Sequence, residues 1–80
     1  MLTAYVQAAL ALAHYEILDD DEGIYGSVEP LPGVWASAAT LEECRVELQE
    51  VIEDWLLIRL RRGATVPVIG GIDLNVAQAA

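Results

Sequence analysis

Asp19, Asp20, Asp21 and Glu22 stand in a row, closed by Gly23. Carboxylates are hard oxygen ligands, so a divalent cation is the first chemistry such a cluster suggests. Together with Glu16 and Glu29, it defines the enzymatic alternative, a metal-dependent nuclease. The spacing argues against that chemistry. Calcium loops place their ligands at alternate positions of a longer loop, and two-metal nucleases collect carboxylates from separate strands and helices. An unbroken acidic run reads as a solvated turn, and any function it has is better served as an electrostatic dock for a basic partner.

The other reactive side chains also have structural readings. His14 could exchange protons near neutral pH, but it needs a nucleophile or carboxylate held in a pocket. Glu16, two positions along the same strand face, is an ordinary neighbour on an exposed sheet. Cys44 falls inside an apolar helical stripe with no adjacent cation to activate a thiolate, so it reads as core. Tyr25, Trp35 and Trp55 lack the basic groove that base stacking requires, and Trp35 and Trp55 belong to the core or a subunit interface. No Gly-rich phosphate loop, nucleophile elbow or zinc motif occurs. No catalytic residue, metal ligand or cofactor is assigned.

Thirteen acidic and four basic residues give a net charge of −9. Such a surface repels phosphate backbones and anionic lipid, so direct binding of nucleic acid or membrane is not expected, whereas a basic protein is attracted. Residues 2–13 are apolar but lack the basic flank of a secretory signal and are too short to span a bilayer. A cytoplasmic protein is the expectation. With 80 residues, one cysteine and one histidine, neither an internal disulfide nor a structural zinc site can reinforce the fold. Small domains without such aids often associate with copies of themselves, and a sequence that is 55% hydrophobic suits an oligomer.

The pattern predicts one α+β domain over residues 1–80. Leu2, Tyr5, Val6, Ala9, Leu12 and Ala13 recur at helical spacing, giving a helix over about 2–13. Strands follow at 14–18, 24–29 and 34–39, joined by the acidic turn ending in Gly23 and by Pro30-Leu31-Pro32-Gly33, suited to a type II turn. Short connections make these an antiparallel meander. Thr40-Leu41-Glu42-Glu43 is a capping box, opening a helix whose apolar stripe is Leu41, Cys44, Leu48, Val51, Ile52 and Trp55. Arg59, Arg61 and Arg62 suit its C-terminal dipole, and Gly63 its cap. An edge strand over 72–76 completes a core of about 14–76, leaving a frayed tail at 77–80. At the helix end, Trp55, Leu56, Leu57 and Ile58 circle the axis. One face can pack on the sheet. The other needs the N-terminal helix or another subunit, and a subunit interface is the preferred expectation.

Tyr15-Glu16, Gly23-Ile24-Tyr25-Gly26, Pro30-Leu31-Pro32-Gly33-Val34-Trp35-Ala36 and Thr40-Leu41-Glu42-Glu43-Cys44, continuing through Leu48 and Trp55 to Gly63 and Pro67, together resemble the HicB-like antitoxin family of type II toxin–antitoxin systems. The resemblance covers residues 15–67. It implies a β-β-β-α-β core similar to a truncated ribonuclease H fold without its catalytic carboxylates. It also implies assembly into dimers or tetramers, and neutralisation of a small basic HicA-type mRNA-cleaving toxin. The sequence departs from many relatives in having no basic helix-turn-helix or ribbon-helix-helix segment, and in its longer N-terminal helix. An orphan assembly domain with another partner is the remaining alternative.

Overall fold

A computed structural model of the chain describes residues 2–19 and 23–74, with elements in the order α1 (Leu2–Ala11), β1 (His14–Ile17), β2 (Ile24–Ser27), β3 (Trp35–Ala38) and α2 (Leu41–Arg61). The fold is α+β, as the sequence predicts. β2 lies between β1 and β3, and both pairings are antiparallel, the only ones that such short connections permit. In the turn between β2 and β3, the Val34 N–H donates to Leu31 O at 3.1 Å and Gly33 takes φ 81°. Position i+2 of a type II turn requires that positive φ, which is why Pro32-Gly33 sits there.

The register sets His14, Ser27 and Trp35 in one row and Tyr15, Gly26 and Ala36 in the next. Successive rows face opposite sides. α2 covers the side of Tyr15, Gly26 and Ala36, and Gly26 is what lets it come close. A β-carbon at Gly26 would stand 2.9 Å from the Tyr15 ring and 3.1 Å from Cys44 Sγ.

α2 is the spine of the domain. At its start the Glu43 N–H donates to Thr40 Oγ1 at 3.2 Å, while the Thr40 hydroxyl donates to the Glu43 carboxylate at 3.0 Å. At its end Gly63 N–H bonds Leu60 O and Ala64 N–H bonds Arg59 O, the Schellman pattern, with Gly63 at φ 69°. Cys44, Leu48, Ile52 and Leu56 are buried at steps of four. Leu41, predicted at the head of that stripe, is 50% exposed.

The sheet covers only the first part of α2. Beyond it, α1 and residues 64–74 take over. Tyr5, Val6, Ala9 and Leu10 of α1 join the core, and the Tyr5 hydroxyl donates to Pro67 O at 2.6 Å. α1 stops at Ala11 rather than residue 13 because its last turn tightens: Leu12 and Ala13 N–H bond back three residues to Ala9 and Leu10. In place of the start of the expected edge strand at 72–76, Ile72 makes an isolated bridge with Ile69 across Gly70 and Gly71, both at positive φ. Asn75, Val76 and the tail at 77–80 lie outside the described residues. Among the described residues no helix is long and apolar enough to cross a membrane.

Candidate functional site

The acidic turn connects two strands that end at Ile17 and begin at Ile24. Asp19 is exposed, while Asp20, Asp21 and Glu22 lie outside the described residues. Glu16 pairs in register with Tyr25, whereas Glu29 lies past the end of β2, exposed in the turn that leads to β3. Among the described residues no group of His, Cys, Asp or Glu is arranged to hold a metal ion.

His14 and Glu16 are both exposed on the open side of the sheet. Cys44 is fully buried and its thiol donates to Ala36 O at 3.5 Å. Burial pushes the thiol pKa up, and the Glu47 carboxylate adds to this against a smaller opposing pull from the Gly26 backbone. That direction is opposite to the one a nucleophilic thiolate needs. Burial likewise raises the phenols of Tyr5 and Tyr15, although Arg45 partly offsets it at Tyr15.

Of the two places expected for Trp35, core or subunit interface, the chain's own core is not where it lies. Strand alternation gives Ala36 to α2 and turns Trp35 to the open side, where it is 54% exposed and stacks on Tyr25 with ring centroids 5.9 Å apart. Trp55 is half-buried. Its indole N–H donates to Pro32 O at 3.2 Å, and the Arg59 guanidinium lies 4.6 Å above its ring. Of the four residues proposed for an oligomer interface, Leu56 is 2% exposed and belongs to the chain's own core, because α1 covers it. Leu57 and Ile58 remain 53% and 52% exposed. Leu57 and Leu60 line one side of a groove that Leu2, Thr3 and Val6 of α1 close on the other.

A second groove escaped the sequence reading. It runs between β3 and the flank of α2, lined by Trp35, Ala36, Ser37, Glu47, Glu50, Val51 and Asp54. The spacing of Glu47, Glu50 and Asp54 by three and four was visible in the sequence as one helix face. That this face flanks an edge strand was not.

A family model described as UPF0150-like matches residues 4–67, running from α1 past the cap of α2. The chain belongs to the UPF0150-like family. Among solved structures, this UPF0150-like chain is similar to the crystal structure of TTHA0281 from Thermus thermophilus. The two are 46% identical, with 91% of this chain and 90% of that one covered, at a TM-score of 0.85. No curated protein matches the sequence.

Proposed function

We propose that this UPF0150-like domain is a non-catalytic protein-binding module of the HicB-like antitoxin kind, sequestering a small basic HicA-type mRNA-cleaving toxin in the cytoplasm. Charge carries the reading. The chain holds a net charge of −9, and Glu47, Glu50 and Asp54 line one groove together. A toxin that grips RNA needs a basic surface, and an acidic protein of complementary shape can cover it while its charge speeds the encounter. The ordered residues of the HicB-like resemblance fall at structural positions: the Pro32-Gly33 turn, the Thr40 cap and the Gly26 close approach.

Co-expression with a small basic protein encoded beside the chain tests this. Relief of that protein's growth arrest, with copurification of the two, is the expected outcome. Continued arrest with no complex at low salt overturns it. The assembly is proposed as a dimer or tetramer joined through the groove between α1 and α2, with Leu57 on its lining. Leu57→Asp should then lower the sedimenting mass while leaving the circular dichroism spectrum intact; an unchanged mass removes Leu57 from the interface.

A further inference from the structure

We infer that the outer edge of β3 takes an extended basic segment of a partner protein as an added antiparallel or parallel strand, with alternate side chains reaching Glu47, Glu50 and Asp54. The inference rests on the protein-binding reading above and gives it a location.

β3 ends the strand order, so one side of it has no neighbouring strand among the described residues. The Val28 N–H donates to Val34 O at 3.3 Å, which sets the alternation of the ladder. Residue pairs 26–36 and 24–38 then exchange bonds with β2, and Trp35 and Ser37 turn their N–H and C=O groups outward. Among the described residues, no backbone–backbone hydrogen bond outside the ladders involves any residue of Trp35–Ala38. Such an edge is a template for strand addition.

Charge selects the occupant. A strand laid beside β3 directs alternate side chains to the α2 side, into the groove that holds Glu47, Glu50 and Asp54. The intervening side chains fall on the open side, beside Trp35 stacked on Tyr25. Arginine or lysine suits the first set, and β-branched or apolar residues suit the second. A second copy of this chain is the wrong occupant, because β3 paired with its own copy brings two identical acidic flanks together. The same acids therefore guard the edge against self-pairing while inviting a basic strand.

The probe is a fluorescein-labelled nine-residue peptide with arginine at alternate positions and valine between, read by anisotropy and by amide chemical shifts on the full chain. Binding is expected with shifts concentrated at Trp35–Ala38, and at least tenfold weaker for the E47Q/E50Q/D54N variant, whose substitutions are isosteric and lie on the surface. A control peptide of equal charge, with proline in place of the valines, should bind at least tenfold more weakly, since it cannot complete a ladder. Equal binding of the two peptides overturns strand addition. Ser37→Pro removes an outward donor and should weaken the first peptide to the same degree. If instead Ser37→Pro changes the sedimenting mass of the chain alone, the edge is an interface between copies and the inference fails. If a basic partner protein forms a complex that Ser37→Pro and E47Q/E50Q/D54N leave unchanged, the location fails while the proposed function stands. Absence of both peptide and protein binding removes both.

Discussion

Along its first turns α2 buries Cys44, Leu48 and Ile52 against the sheet, while near its end Trp55, Leu56, Leu57 and Ile58 divide between different surroundings. Trp55 leans on the Pro32 turn, Leu56 enters the core under α1, and Leu57 and Ile58 face outward. The first half has one partner, a sheet, and so needs a single stripe at steps of three and four. The second half has α1 on one side, residues 64–74 on another and open surface on the rest. Apolar residues all round a helix signal more than one cover. They do not say which cover is intramolecular.

Cavity-forming substitutions separate the halves most strongly. Leu48→Ala and Leu56→Ala should each cost about 2–5 kcal/mol in urea unfolding, while Leu57→Ala should cost about 0.5 kcal/mol or less in the dissociated chain. A mild Leu56→Ala would mean that α1 does not cover the second half as described. Next comes Gly26→Ala, which pushes a methyl group between the Tyr15 ring and Cys44 Sγ. It should cost about 1–3 kcal/mol, felt at the sheet-covered half and leaving α1 protected from hydrogen exchange. Tyr5→Phe probes the other half. Losing the bond to Pro67 O should cost about 1 kcal/mol and loosen residues 64–74 before the sheet.

The smallest effect is on pH dependence. Burial raises the folded-state pKa of Cys44 above its ordinary 9.0, so the unfolded thiol ionises first. Stability from this group is intact below the unfolded value and declines as pH rises through and beyond it. Tyr5 and Tyr15 act in the same direction above their ordinary 10.0. The melting temperature should therefore fall above about pH 9, and Cys44→Ala should flatten the first part of that fall. An unchanged slope in Cys44→Ala would place the alkaline loss on the tyrosines alone.

Much of the fold was legible because its signals are local. The Thr40 cap, the Gly63 terminus and the Pro32-Gly33 turn each depend on residues within a few positions of one another, and each appears as predicted. What was not legible depends on distant partners. Trp35 reads as either core or interface, and strand alternation assigns the inward place to Ala36. Leu56 reads as an interface residue until α1, far away in sequence, is seen to cover it. Residues 64–74 pack through Val66 and Ile69 and through the Pro67 carbonyl, contacts that no strand or helix period announces. The candidate site was half visible: the acidic helix face has a sequence period, whereas its position beside a sheet edge arises only from the fold.

Partner capture without catalysis is tested most directly by titrating the purified chain into an RNA-cleavage assay run by the proposed partner, a small basic ribonuclease encoded beside it. Cleavage should fall to the baseline at a stoichiometric ratio and recover as added salt weakens the charge attraction. Undiminished cleavage at low salt, or cleavage by this chain alone in magnesium or manganese, would contradict the account.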